Sequence, residues 1–210
     1  MNKMKYYWQT IIAEINMLPL NLDYLFSTKK RAIYVGCTRM GNLGDEAIFK
    51  AIKKLITDKF YLYELPYHKP TSGKYFRKLF FKSPDYIILG GGTIIRKSAN
   101  ESYLRILNRM INKWPNSKIA IIGPGVVDIN FADYIGFPIN IEDWKLVLNK
   151  SNFISVRGVL SLNELNKWGL KPSAHIFHDP AIYFARPSIK KKDKLKKIGI
   201  NFADIGVVII

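Results

Sequence analysis

Apolar residues along this chain recur at two spacings, one helical and one characteristic of buried strands. The first segment carries Tyr7, Ile11, Ile12, Ile15 and Leu18 at helical intervals. That spacing predicts an amphipathic helix packed on the body of the protein, with a membrane interface as the less favoured use of such a face. Gln9, Glu14 and Asn16 interrupt the run, no small-residue cleavage site follows, and Pro19 is expected to break the helix. Beyond it, short apolar runs predict strands at 32–35, 60–63, 86–89, 119–122, 153–156 and 174–177. Amphipathic stretches between them predict helices at 46–56, 74–81, 101–113, 141–150 and 159–168, with Trp114, Trp144 and Trp168 at core positions. This alternation points to an α/β fold, a Rossmann-like open parallel sheet with helices on both faces.

The pattern changes after residue 185. Pro187 is followed by a run with six lysines between Lys190 and Lys197, and then by apolar residues to Ile210. The expected division is therefore a helical extension at 1–28, the α/β domain at 29–185, a Lys-rich linker at 186–197 and the start of a truncated second domain at 198–210.

Composition narrows the chemistry. With 33 Lys and Arg against 16 Asp and Glu the formal charge is +17, while 48% hydrophobic content is too rich for a disordered polycation. One cysteine, Cys37, excludes a disulfide framework, and with three His it leaves few ligands for a metal cage. No metal or organic cofactor is expected. No stretch reaches the roughly 18 uninterrupted apolar residues that a spanning helix needs.

Glycines cluster where strands end. The loop after the first strand runs G-C-T-R-M-G-N-L-G-D-E-A, placing Gly41, Asn42, Gly44 and Asp45 at a helix start, where free amides and the helix dipole favour anions. It matches neither G-x-G-x-x-G nor the P-loop, which needs Lys where Asn42 stands. Asp45 is read either as a ligand contact or as a plain helix cap. Gly91, Gly92 and Thr93, then Gly123 and Gly125, then Arg157, follow three further strands. In an open parallel sheet all these positions fall on the carboxyl edge, where ligands bind. Arg157 offers a planar fork for a carboxylate or phosphate, or an ion pair with Glu164. His178 and Asp179 are adjacent on an extended chain and point to opposite faces, so no catalytic dyad is expected between them, and Asp179, at another strand end, is counted among the substrate-binding positions.

In this order the loops resemble the polysaccharide pyruvyl transferase family. GNLGDEAIFKAI (41–52) is similar to its glycine–aspartate–glutamate signature, LGGGTII (89–95) to its glycine triplet, and GPGV (123–126) to the next loop. SVRGVLSLNELNKWG (155–169) is similar to its S-x-R segment and HDPAIYF (178–184) to its D-P-A segment. The resemblance implies half of a glycosyltransferase-B-like two-domain architecture. It also implies transfer of a pyruvyl ketal group from phosphoenolpyruvate to a sugar of a cell-surface polysaccharide. Arg157 would be an anion clamp, and Gly41, Asn42, Gly44, Asp45, Gly91 and Gly92 would line the cleft. Gly158 stands where the family usually has an acidic residue, and the family's later arginine–histidine segment, the expected source of the general acid, lies beyond Ile210. The chain alone is accordingly expected to be inactive unless a second copy or a complementing chain supplies the rest.

Two other functions fit the same sequence: a glycosyltransferase taking a nucleotide sugar on the same fold, and a non-catalytic basic module binding anionic polymers. The lysines crowd the linker rather than interleave with aromatics, so no specific nucleic-acid partner is expected. The expected location is cytoplasmic, peripheral to the inner face of the membrane.

Overall fold

A computed structural model describes residues 3–38, 41–65, 82–96, 103–134, 136 and 139–185. The helix expected at 74–81, and the linker and second-domain start beyond residue 185, lie outside these residues.

In chain order the elements are α1 (Lys3–Phe26), β1 (Lys30–Val35), α2 (Leu43–Ile56), β2 (Phe60–Glu64), β3 (Tyr86–Gly90), α3 (Tyr103–Lys113), β4 (Lys118–Ile122), α4 (Ile129–Tyr134), α5 (Ile141–Leu148), β5 (Phe153–Val156), α6 (Val159–Lys167) and β6 (Ala174–Ile176), closing with a 3₁₀ turn, Pro180–Phe184. The six strands form one parallel sheet in the order β2-β1-β3-β4-β5-β6. Ile33 pairs with Ile87, Ile88 with Ala120 and Ile121 with Ile154, so the apolar runs read from the sequence lie side by side at the sheet centre. Successive units step outward in one direction from β1 to β2 and in the other from β3 onward. The topological switch point therefore lies between β1 and β3.

Both faces of the sheet are covered. On one, Ile33, Leu89, Ile121 and Ile154 pack with Leu104 and Leu107 of α3, Trp144 of α5 and Leu165 of α6. On the other, Ala32, Tyr34, Leu62 and Ile88 meet Ile48, Phe49 and Ile52 of α2. Trp144 and Trp168 are buried as expected. Trp114 is only partly buried and carries Lys113 over its ring.

Helix α1 departs from the expectation twice. It runs through Pro19, which is exposed, so its ring meets solvent rather than packed neighbours. Its buried face is also not the apolar one. Tyr7, Ile11, Ile12 and Ile15 are exposed, whereas Thr10, Glu14, Met17, Asn21 and Tyr24 are buried. The cause is specific bonding to the sheet edge: Tyr63 donates to Asn21 Oδ1 at 2.8 Å and Tyr24 to the Lys82 carbonyl at 3.1 Å. Arg31 finishes the helix by donating to the carbonyls of Tyr24, Leu25 and Ser27, which satisfies acceptors the last turn leaves open. Among the described residues no helix is long and apolar enough to cross a membrane.

Candidate functional site

Parallel pairing puts the loops after β1, β3, β4, β5 and β6 on one edge of the sheet, and a chain of contacts binds them into a continuous rim. It starts at α2. Asn42, not Asp45, caps this helix: its Oδ1 accepts from the amides of Gly44 at 3.0 Å and Asp45 at 3.4 Å, and Gly41 turns the chain into it with φ 78°. Two of the amides that would cradle a phosphate are thereby engaged. Asp45 and Glu46 in the first turn already complement the dipole.

The carboxylate of Asp45 reaches across the switch point to the turn after β3. Gly92 has φ 55°, a conformation that favours glycine, and a Cβ there would crowd Asp45 Oδ1 at 3.0 Å. Gly91 is buried against Ile48, and Tyr34 supports the turn from below by donating to the Gly90 carbonyl at 2.8 Å. Burial, with the Asp45 charge as a lesser cause, drives the Tyr34 phenol far above its ordinary value. Thr93 is exposed on the outer side of the turn.

The loops after β3 and β4 are laced together by backbone bonds from Gly125 to the Gly92 carbonyl (2.8 Å), Ile95 to Gly125 (3.3 Å) and Val127 to Ile95 (3.1 Å). Gly125 also abuts Thr93, where a Cβ would meet Oγ1 at 3.0 Å. The β4 loop is tied onward to β5: the Gly123 amide donates to Ser155, Arg157 to the Pro124 carbonyl at 3.1 Å, and Val126 to Ser161 Oγ at 3.0 Å.

At the far end Arg157 pairs with Asp179, Nε to Oδ2 at 3.2 Å, and not with Glu164, which is engaged by Lys167 and Trp168. The Nε contact falls outside hydrogen-bond geometry, so it is an ion pair that orients the guanidinium without saturating it. The other Asp179 oxygen accepts from the Ala181 amide at 2.9 Å and caps the closing 3₁₀ turn. His178, at φ 64°, is a non-glycine residue in the left-handed region, and it delivers Asp179 to this position. A Cβ on Gly123 would sit 2.8 Å from Pro180, so the β6 loop crosses directly over β4. From there Ala181 joins the α2 face of the core and Tyr183 lies under Lys54.

The structure thus brings Asp45, Gly91, Gly92, Thr93, Gly123, Gly125, Arg157 and Asp179 onto one rim, with Gly41, Asn42 and Gly44 at its α2 end. The Asp45 carboxylate stands at the switch point and the Arg157–Asp179 ion pair near β5, two strand spacings away, about 10 Å. Sequence reasoning missed three residues at the Asp45 end of the rim. Cys37 and Tyr103 meet there beside Asp45, and burial raises the Cys37 thiol above its ordinary value while the Tyr103 contact lowers it in smaller measure. Thr38 is buried with no hydrogen-bond partner for Oγ1, leaving a polar atom unsatisfied where β1 enters the glycine loop. Only contact across the fold identifies these residues, since nothing in the spacing of Cys37 and Tyr103 links them. A separate cavity of about 430 Å³ opens at the opposite edge, lined by Phe26, Lys29, Lys53, Phe60 and Tyr61 among others, away from every loop described above.

The polysaccharide pyruvyl transferase family model matches residues 42–209. Among solved structures, that of a functionally uncharacterized protein from Klebsiella pneumoniae subsp. pneumoniae NTUH-K2044 is similar at 16% identity and a TM-score of 0.46, covering 93% of this chain and 62% of that one. This chain therefore spans less than two thirds of that protein's length. No curated protein matches it.

Proposed function

Because the chain belongs to the polysaccharide pyruvyl transferase family, matched over more than half its length, we propose that it takes part in transferring a pyruvyl group from phosphoenolpyruvate to a sugar of a cell-surface polysaccharide. In such a transfer two hydroxyls of one sugar add in turn to the enol carbon, the methylene is protonated, and inorganic phosphate leaves. The observation that supports this reading is the placing of the Arg157 guanidinium and the Asp45 carboxylate on one rim. One suits an anionic donor and the other a neutral, hydroxyl-bearing acceptor.

Arg157 is the donor clamp in this proposal. Its ion pair with Asp179 fixes the guanidinium plane at the carboxyl edge, and the remaining N–H groups form a fork for phosphate or carboxylate oxygens. Asp45 faces the glycine turn and accepts a hydrogen bond from a sugar hydroxyl, as an ionised carboxylate offers acceptors only. Gly91 and Gly92 let the ligand approach the backbone closely. Phosphoenolpyruvate as donor would fit a reaction on the inner side of the membrane.

Titration calorimetry with phosphoenolpyruvate and a panel of sugar nucleotides tests this. Phosphoenolpyruvate is expected to bind, Arg157→Ala to weaken it by about tenfold to a hundredfold, and Asp45→Asn to leave it nearly unchanged. Binding of a sugar nucleotide in place of phosphoenolpyruvate would overturn the reading in favour of glycosyl transfer.

A further inference from the structure

The outward face of α1 is not used by the site or by the core. At 100° per residue Trp8, Ile11, Ile12, Ile15, Pro19 and Phe26 fall within an arc of about 100°. Trp8 is 61% exposed, Ile12 53%, Ile15 58% and Phe26 74%. The arc runs along nineteen of the helix's 24 residues, close to 28 Å at 1.5 Å per residue. The other side of the helix carries Thr10, Glu14 and Asn21 inward against the fold together with Met17 and Tyr24. The helix thus keeps a second apolar face turned outward in addition to the one it buries, and a long contiguous apolar surface of this kind marks an interaction site.

Charge decides between the occupants. Two copies of a chain with formal charge +17 repel each other, whereas an anionic surface attracts it. Lys5 and Asp23, both exposed, border the arc on one side. The Lys5 ammonium can reach headgroup phosphates while the isoleucines enter the acyl boundary. A tryptophan among them suits that boundary as well. We infer that the outer face of α1 beds in the headgroup region of an anionic lipid bilayer, parallel to its plane. The inference is independent of the chemistry proposed for the rim.

The test is flotation of the whole chain with vesicles of phosphatidylcholine alone and of phosphatidylcholine with phosphatidylglycerol, at low and high salt. Retention on the anionic vesicles alone is expected, weakening as salt rises. The double variant Ile11→Asn, Ile15→Asn should reduce that retention at least about tenfold, and Gln9→Asn should not. Because the substituted side chains are exposed, circular dichroism of the double variant should match the parent. Brominated phosphatidylglycerol gives a second readout in the unaltered chain: it should quench fluorescence that Trp8→Phe removes. No retention, equal retention on phosphatidylcholine alone, or a lipid-free dimer that the double variant dissolves would each overturn the inference, the last in favour of a second copy.

Discussion

At the scale of single residues, the rim depends on a few positions with no tolerance for change. Gly123 combines φ 63° with Pro180 only 2.8 Å from where its Cβ would stand, so Gly123→Ala should cost about 2 kcal/mol and displace the β6 loop that presents Asp179. Urea unfolding measures the first effect. Loss of phosphoenolpyruvate affinity would register the second. Arg157→Lys should recover less than about a third of the binding lost in Arg157→Ala, because an ammonium cannot reproduce a planar fork. Full rescue by lysine would mean that a point charge, not a bidentate clamp, is what the site needs. Tyr34→Phe removes a buried bond to the Gly90 carbonyl and should cost about 1–2 kcal/mol, read as a lower unfolding midpoint at an unchanged denaturant slope.

At the scale of elements, the strands were legible in the sequence because a parallel sheet covered on both faces leaves each one a continuous apolar run. Tyr86–Gly90 and Phe153–Val156 lie within one residue of where the pattern puts them. Helix starts were less legible. Any of several polar residues can cap, and only backbone geometry assigns the role to Asn42 in α2 and Asn140 in α5. Helix α6 has no side-chain cap at all, since Gly158 occupies that place with extended backbone and open space around its Cβ position. Gly158→Asp should therefore stabilise the protein by about 0.5 kcal/mol through a new cap and a charge at the dipole's positive end. A fall in melting temperature would show that space to be needed by something else. Helix α1 forms where the periodicity puts it but packs through another face, for periodicity locates an apolar face without saying what that face meets.

For the whole molecule, burial of phenols links stability to alkaline pH. Tyr24, Tyr34 and Tyr61 are all raised above 10.0 chiefly by burial, Tyr61 to about 12. In the unfolded chain these groups ionise near 10.0, while in the folded protein they hold their protons. Stability is therefore level below that pH and declines as pH rises past it, because unfolding then releases protons. Urea midpoints followed from neutral pH upward should begin to fall near pH 10, and phenolate absorbance of these three tyrosines should appear together with unfolding. Phenolate formation well before unfolding would contradict their burial.

The sequence by itself determined the α/β alternation, the parallel sheet and the glycine-rich strand ends, because local apolar spacing and backbone freedom are written residue by residue. It also carried the ordered motifs of the family. Only the tertiary structure decided that Arg157 meets Asp179 rather than Glu164, that Asp45, Cys37 and Tyr103 share one corner, and that α1 turns its isoleucines outward. Those outcomes depend on which distant segments the sheet order brings into contact, and spacing along a chain holds no record of distances across it.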